Sequence, residues 1–306
     1  MDKMALVNSV EMAPNGPHFS EFVQGYWRMN DWRRTVQEHL TFLKQHVALG
    51  ITTVDHAHVY GQAPSCEELF GRVLKLDPGM RANIQIVSKC GIELVDEDSV
   101  QVNHYDSTPR AIENSVDLSL SRLGVDQLDV LLVHRPDWLM DVDAIGECFK
   151  NLTKSGKVSH FGVSNFTSSQ FDLLQSRIDQ RLVTNQVEIN PVNFKVVDDG
   201  TLDQLQQYRV RPMAWSCLAG GRIFNEDSDR MSRLRTCLLE VAAEHGEYSL
   251  EQVVFAWIRK LPSRPVAILG SGNIDRVKSS LDSSHLQLNQ EQWYRIWVAS
   301  SGVNVP

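Results

Sequence analysis

Short apolar segments alternate with longer segments of helical periodicity along almost the whole chain. Residues 51–55, ITTVD, form a short β-branched run, whereas residues 33–49 carry apolar side chains at helical spacing and are followed by Gly50. Residues 128–134, LDVLLVH, are almost continuously apolar, which is typical of a parallel strand covered on both faces. The pattern therefore predicts parallel strands that alternate with helices.

Eight strands are predicted in this way, each followed by at least one helix. Strands are expected at the end of 18–29 and at 51–55, 83–89, 128–134, 160–164, 185–190, 212–216 and 266–270. Helices are expected at 33–49, 64–76, 109–123, 142–155, 167–178, 199–208, 231–245, 249–260, 274–282 and 289–300. Eight such units favour a single (β/α)8 TIM barrel domain over residues 1–306, with an extra C-terminal helix. The alternative is an open doubly wound sheet, but no G-x-G-x-x-G follows the first strand.

Charge, apolar runs and cysteine content limit the binding partners and the cellular compartment that are expected. The formal net charge is −8 and there is no basic run, which argues against nucleic acid or an anionic membrane as a partner. The first sixteen residues lack the apolar region of a signal peptide, and no apolar run approaches the ~18 residues of a membrane span. An odd number of widely spaced cysteines predicts reduced core thiols in a cytoplasmic protein. These are Cys66, Cys90, Cys148, Cys217 and Cys237.

In a parallel barrel the active site lies where the strands end. Chemically useful residues at the predicted strand ends are Tyr26, Trp27, Asp55, Tyr60, Lys89, His134, Ser164, Asn165, Gln186, Glu188, Asn190, Trp215, Ser216, Gly270 and Ser271. The stretch 52–62, TTVDHAHVYGQ, leaves two chemistries open. A metal site would begin with His56 and His58, but the ends of the fifth, seventh and eighth strands supply no good zinc ligand.

The second chemistry is proton transfer without a metal. The Lys89 ammonium is expected to lower the pKa of Tyr60, and Asp55 to keep Lys89 charged and in place. His134 is expected to polarise a substrate oxygen. The alternative reading is that Asp55 and Lys89 form a buried ion pair that only braces the barrel.

At these residues the chain resembles the aldo-keto reductase family, and within it a bacterial-type branch of uncharacterised oxidoreductases. VDHAHVYG, IVSKCG and LLVHRPD resemble the segments that carry the Asp, Tyr, Lys and His of that family's catalytic tetrad. KVSHFGVSNF and NQVEINP resemble its signatures on the fifth and sixth strands. The resemblance runs from about residue 20 to residue 300 and implies a TIM barrel oxidoreductase.

The resemblance also implies how a nicotinamide cofactor is bound. Ser164, Asn165 and Gln186 would hold the carboxamide, because an amide needs both donors and acceptors. Trp215 would stack on the nicotinamide ring, although core packing is the alternative role for a tryptophan. Residues implied at the near edge of the cofactor site are Gly25, Tyr26 and Trp27.

The resemblance also implies that the pyrophosphate and the adenosine end of the cofactor bind at the turns after the seventh and eighth strands. Main-chain N–H groups of Ser216, Cys217 and Leu218 would meet the pyrophosphate, and Arg222 would clamp it unless it is a plain surface arginine. The remaining residues implied at the adenosine end are Leu269, Gly270, Ser271, Arg276, Ser279 and Ser280, with Arg276 on the 2′-phosphate of NADPH. The chain departs from the family in having Gly270 where a lysine is common, so the preference for NADPH over NADH depends mainly on Arg276.

The expected activity is NADPH-dependent reduction of an aldehyde or ketone to an alcohol, with Tyr60 as general acid; NADH is the less expected cofactor. A cofactor-binding regulatory module with little turnover and a metallohydrolase are the alternatives. The substrate pocket is expected to involve the loop 91–107 and the side chains of Tyr26, Trp27, His58, His104 and Trp138. A monomer or a small homo-oligomer is expected, with a small carbonyl compound as its substrate.

Overall fold

The computed structural model describes residues 7–95, 99–246 and 248–306. Eight parallel strands close into a barrel in which neighbours follow one another in chain order, and the last strand pairs with the first. The strands are β1 Phe22–Gly25, β2 Thr53–Asp55, β3 Gln85–Cys90, β4 Leu128–Val133, β5 Val158–Ser164, β6 Asn185–Glu188, β7 Met213–Trp215 and β8 Val266–Leu269. The predicted TIM barrel is confirmed and the open sheet is wrong.

Helices surround the barrel and follow its strands. They are α1 Val36–Ala48, α2 Cys66–Leu76, α3 Pro109–Leu123, α4 Val142–Lys154, α5 Ser168–Gln175, α6 Lys195–Asp198, α7 Thr201–Tyr208, α8 Arg222–Asn225, α9 Asp229–Glu244, α10 Leu250–Arg259, α11 Ile274–Asp282 and α12 Gln290–Ser301. Short 3₁₀ turns lie at Met29–Trp32, Pro78–Asn83, Ala219–Gly221 and Ser283–His285. Within the described residues, no helix has the length and apolar character that a membrane span requires.

Local sequence explains where several helices begin and end. The Thr35 hydroxyl accepts a hydrogen bond from the Glu38 N–H, and the Glu38 carboxylate accepts one from the Thr35 N–H, which starts α1. Thr108 caps α3 ahead of Pro109, and Gly124 ends that helix in the left-handed conformation. The C-terminal helix α12 is held by Trp293, which stacks on Trp257 of α10 with ring centroids 4.7 Å apart.

The core fills the barrel and the layer between strands and helices. β1 and β2 are buried along their whole length, as expected for parallel strands covered on both faces. The five cysteines are all buried free thiols, in agreement with the sequence prediction.

Two antiparallel hairpins were not predicted. Ser9–Glu11 pairs with His18–Ser20 ahead of β1, and the Ser20 hydroxyl accepts hydrogen bonds from the N–H groups of residues 52 and 53 at the start of β2. Ile92–Glu93 pairs with His104–Tyr105 in the loop after β3, on which the substrate pocket was predicted. Residues 96–98 of that loop lie outside the described residues.

Candidate active site

The centre of the site is a buried lysine. Strand β3 places the Lys89 ammonium inside the barrel, where it donates to both carboxylate oxygens of Asp55 at 2.9 and 2.8 Å. It also donates to the His56 carbonyl at 2.7 Å and contacts the Tyr60 hydroxyl at 3.1 Å. One fully buried cation therefore joins the ends of β2 and β3 to a tyrosine in the loop after β2.

The charges in this cluster set its proton affinities. Burial alone would lower the pKa of Lys89, but the attraction of Asp55 and the contact with Tyr60 raise it above its usual value, so the amine stays charged. Burial raises the pKa of Tyr60, and Lys89 offsets this only in part. Lys89 lowers the pKa of Tyr60 as expected, but desolvation outweighs the ammonium charge, so the net shift is upward. Tyr60 is held protonated and available as a proton donor.

His134 completes this group at the end of β4. Its ring centroid lies 5.9 Å from that of Tyr60, in an edge-to-face arrangement. Burial, followed by the positive charges of Lys89 and Arg135, lowers the pKa of His134 to about 2. The imidazole is therefore neutral near neutral pH and keeps one N–H donor and one acceptor nitrogen.

Amide side chains from β5 and β6 close the next sector of the barrel mouth. Gln186 donates to Asp55 at 2.7 Å, which ties the predicted carboxamide site to the lysine cluster. Asn165 adopts a left-handed backbone with φ of 62° and donates to the Ser164 hydroxyl at 2.8 Å. The Trp215 indole N–H donates to the side-chain amide oxygen of Asn165 at 3.2 Å. Four residues predicted to bind nicotinamide thus adjoin one another and the predicted proton-transfer residues.

The turn after β7 has a strained backbone. Ser216 and Ala219 have positive φ values of 52° and 51°, and Gly220 and Gly221 follow with 66° and 93°. The Asn190 side chain holds this turn by donating to the Ser216 carbonyl at 3.0 Å. The rest of the predicted pyrophosphate segment is the buried Cys217 and the half-buried Leu218.

The end of β8 packs tightly against β1. A Cβ on Gly25 would lie 2.8 Å from Ile268 and 3.2 Å from the Leu269 carbonyl, so only glycine fits there. The buried Gln24 side chain donates to the Leu269 and Ser271 carbonyls at 3.3 and 3.1 Å. Gln24 was not predicted, since a glutamine inside a short strand carries no spacing signal.

The start of α11 lies beyond this turn. Asn273 caps the helix by accepting from the N–H of residue 275 at 2.8 Å, and Arg276 is exposed in its first turn. The Ser280 hydroxyl donates back to the Arg276 carbonyl at 2.9 Å, and Ser279 accepts from Gln252 of α10. This group combines a helix N-terminus with an exposed guanidinium, which suits a phosphate. Gly270, whose added Cβ would meet nothing within 4 Å, leaves open space beside it.

The side chain of one predicted residue, Tyr26, points away from the site. The Tyr26 ring is buried behind β1, where it stacks on His56 with centroids 5.0 Å apart and packs edge-on against Phe70 of α2. Its hydroxyl contacts His46 of α1 at 2.9 Å. A side-chain role for Tyr26 in the cofactor site or the substrate pocket is therefore wrong, because its ring lies in the layer between strands and helices.

The two histidines of the proposed metal pair do not converge. Burial lowers the pKa of His56 to about 3, and its ring packs under the helices. His58 has both ring nitrogens within hydrogen-bond distance of carbonyls, those of Lys89 at 2.6 Å and Ile92 at 2.8 Å. Among the described residues, no group of three or more His, Cys, Asp or Glu is arranged to hold a metal ion. This contradicts the metallohydrolase alternative in its His56/His58 form.

The remaining pocket residues lie at the rim. Trp27 is 62 % exposed and its ring lies 6.4 Å from that of Tyr60. Trp138 is 90 % exposed in the loop after β4, and His104 is exposed on the hairpin after β3. Arg222, which was predicted either to clamp the pyrophosphate or to be a plain surface arginine, is also exposed and pairs with Glu226 at 2.7 Å.

Arg135 lies near the candidate active site but was not among the residues predicted from the sequence. Arg135 follows His134 directly, and its guanidinium carbon lies 6.0 Å from the Trp215 ring centroid. It lines a cavity of about 350 Å³ that also contacts Trp138, Asn165 and Glu188. Its place next to a strand-end histidine was the only signal that could have found it.

Comparison with known proteins agrees with this arrangement. Residues 21–299 match the Aldo/keto reductase family. The chain is 50% identical over 301 residues to oxidoreductase YdhF of Escherichia coli strain K12, covering 98% of this chain and 100% of that protein. It is 36% identical over 308 residues to a 6-dehydroglucose reductase of Agrobacterium fabrum, covering 100% of both chains.

The fold has a matching solved structure. A thermostable aldo-keto reductase, Tm1743, superposes with a TM-score of 0.79 at 24% identity, covering 95% of this chain and 99% of that one. At this identity the match bears on the fold alone, whereas the family match and the bacterial relatives extend over nearly the whole sequence. The chain therefore belongs to the aldo/keto reductase family of oxidoreductases, as its sequence motifs predicted.

Proposed function

We propose that this chain, as one barrel domain over residues 1–306, reduces the carbonyl group of a small aldehyde or ketone with NADPH as hydride donor. Members of the aldo/keto reductase family act on small carbonyl compounds and use nicotinamide cofactors. The observation that carries the proposal is the contact of the buried Lys89 ammonium with both Asp55 and the Tyr60 hydroxyl. A tyrosine held in this way is a proton donor whose conjugate base meets a fixed positive charge.

The chain's own residues account for the proton. Tyr60 gives its hydroxyl proton to the carbonyl oxygen, and the tyrosinate that forms is stabilised by Lys89. Asp55 keeps that lysine charged and aimed. The neutral His134 donates one hydrogen bond to the same oxygen and so orients the carbonyl. The bound nicotinamide supplies the hydride that reduces the carbonyl carbon.

The residues at the barrel mouth suit a nicotinamide dinucleotide. Ser164, Asn165 and Gln186 offer the donors and acceptors that a carboxamide needs, and Trp215 offers an aromatic face. The exposed Arg276 at the start of α11 supports a 2′-phosphate, and hence NADPH rather than NADH.

The named relatives bear on the reaction. The protein from Agrobacterium fabrum is called a 6-dehydroglucose reductase, as is a relative from Novosphingobium aromaticivorans that is 30% identical over 301 residues. Both names describe reductases, which favours the direction from carbonyl to alcohol. A sugar-derived carbonyl compound therefore belongs in any substrate panel.

The first test is the Tyr60→Phe variant, followed by NADPH absorbance with aromatic, aliphatic and sugar aldehydes. We expect kcat to fall by ~10²–10⁴-fold while the Kd for NADPH stays unchanged, since only the proton donor is lost. Tyr294→Phe, an exposed change on α12, is the matched control. Wild-type turnover in the Tyr60 variant would refute the role of Tyr60, and tight NADPH binding by a wild type that reduces nothing would favour the regulatory module.

The cofactor preference has its own test. Arg276→Gln is expected to weaken NADPH binding about tenfold and to leave NADH binding unchanged, because only NADPH carries the 2′-phosphate. Lys278→Gln on the same helix is the control, since Lys278 lies beside Asp275 at 3.8 Å. Fluorescence titration with both cofactors measures the two constants. Equal losses for NADPH and NADH would show that Arg276 does not read the phosphate.

A further inference from the structure

Arg135 places a second positive charge close to the reacting group. Its guanidinium carbon lies 6.0 Å from the centroid of the Trp215 ring, and its charge acts on both Tyr60 and His134. The side chain is half-buried and lines the cavity of about 350 Å³ beside the barrel mouth. Asn165 and Trp215 line the same cavity, so Arg135 adjoins the residues predicted to hold the nicotinamide.

The guanidinium has no ion-pair partner within the described part of the chain, although a carboxylate lines the same cavity. That carboxylate, Glu188, has both oxygens occupied: Oε1 accepts from Asn190 at 2.9 Å and Oε2 from Asn193 at 2.8 Å. The other acid at the cavity, Asp199, accepts from the Thr201 N–H at 2.9 Å. Neither acid is paired with Arg135.

The remaining charges near the carbonyl position differ from Arg135. Lys89 is compensated by Asp55, and His134 is neutral. Lys195 also lines the cavity but is exposed to solvent, which weakens its field. Arg135 is thus a half-buried cation in this cavity, and its N–H donors are free among the described residues. We expect an incoming substrate to meet these donors. A planar guanidinium in such a position favours a planar anion with two oxygen atoms that each accept a hydrogen bond.

We propose that Arg135 determines substrate specificity by binding a carboxylate of the substrate, so that this reductase prefers carbonyl compounds that carry a carboxylate. This proposal rests on the proposed reductase function for its catalytic consequence but not for the binding contact itself. The two N–H donors of the guanidinium face the two carboxylate oxygens, while the carbonyl end of the same molecule lies at Tyr60.

The test compares two aldehydes of nearly equal shape, 4-carboxybenzaldehyde and 4-formylbenzamide. For the wild type, kcat/KM is expected to be higher with the carboxylate. In Arg135→Gln it should fall ~10–100-fold for the carboxylate and less than about twofold for the amide, the range of a lost charge-assisted bond. Arg135→Lys keeps the charge but not the paired geometry, and should recover part of the loss. Arg181→Gln, an exposed arginine ahead of β6, is the control for net charge.

A binding measurement separates this proposal from the reductase function. Terephthalate and terephthalamide are titrated into the protein in the presence of NADP⁺, with tryptophan fluorescence as the signal. Selective loss of terephthalate binding in Arg135→Gln supports the proposal even where the wild type reduces neither aldehyde, an outcome that would sink the reductase function alone. Equal effects on carboxylate and amide, in turnover or in binding, overturn the role of Arg135.

Discussion

Replacing His56 by phenylalanine should reduce the pH dependence of stability below a pH of about 6.5. The His56 ring is fully buried between Tyr26, 5.0 Å away, and Phe70, 4.5 Å away. Neither ring nitrogen has a hydrogen-bond partner among the described residues. Phenylalanine keeps an aromatic ring in this stack, and the backbone carbonyl of residue 56 remains available to Lys89.

The magnitude follows from the shift in proton affinity. Burial lowers the pKa of His56 to about 3, whereas an unfolded chain binds the proton near ~6.5. Above that value neither state is protonated and no stability is lost. As the pH falls from ~6.5 towards 3, only the unfolded state takes up the proton, and stability declines by about 1.4 kcal/mol per pH unit. The loss attributable to His56 is therefore about 2 kcal/mol at a pH of about 5.

Urea unfolding of the wild type and His56→Phe between about pH 5 and pH 8 measures this slope. Below a pH of ~6.5, the free energy of unfolding of the variant is expected to change with pH less steeply than that of the wild type, by about 1.4 kcal/mol per pH unit, because one titrating group is lost. The larger ring is expected to cost about 1–3 kcal/mol at every pH, which shifts the curve without tilting it. His285→Gln, at an exposed position, should keep the wild-type slope. Parallel curves for wild type and His56→Phe would refute the argument that the neutral buried imidazole of His56 contributes to the acid sensitivity of the fold.

Two further predictions concern the loops around the site. Gly272→Ala places a Cβ 2.5 Å from the Trp32 ring and should cost about 1–3 kcal/mol in thermal unfolding, whereas Gly270→Ala, with no atom within 4 Å of the new carbon, should cost far less; equal costs would contradict the close approach. His58→Leu removes both imidazole contacts to carbonyls, on β3 and on the hairpin that follows it. Amide hydrogen exchange of that hairpin should accelerate, and an unchanged rate would show that the imidazole does not hold it.

The barrel was predictable because its signal repeats. Eight apolar strands alternate with amphipathic helices, and local caps such as Thr35 set the helix starts to within a few residues. Both hairpins were missed because their strands have only two or three residues, too short for an alternation of period two to appear. The helix predicted at 199–208 is preceded by a separate turn of helix, Lys195–Asp198, which ends before Gly200 with its left-handed backbone.

The site was predictable as far as strand ends define it. Asp55 and Lys89 lie near the ends of the neighbouring strands β2 and β3, Gln186 comes from β6 on another part of the barrel, and closure of the barrel brings all three into hydrogen-bond contact. The pKa of Tyr60 was not predictable, since its direction depends on burial, which the sequence does not reveal. Arg135 was missed for a related reason: a charged residue in a loop looks like surface until a cavity forms around it.

The register between β1 and β2 answers which residues of TTVDHAHVYGQ face the site. Gly25 pairs with Asp55, and the Asp55 carboxylate turns into the barrel towards Lys89. Since side chains alternate along a strand, the next residues on both strands turn outward. These are Tyr26 and His56, which accordingly stack on each other with an interplanar angle of 9°. Because of this alternation the Asp55 carboxylate faces the site and His56 faces the helix layer, so Asp55 and Tyr60, not the two histidines, belong to the proposed proton-transfer group.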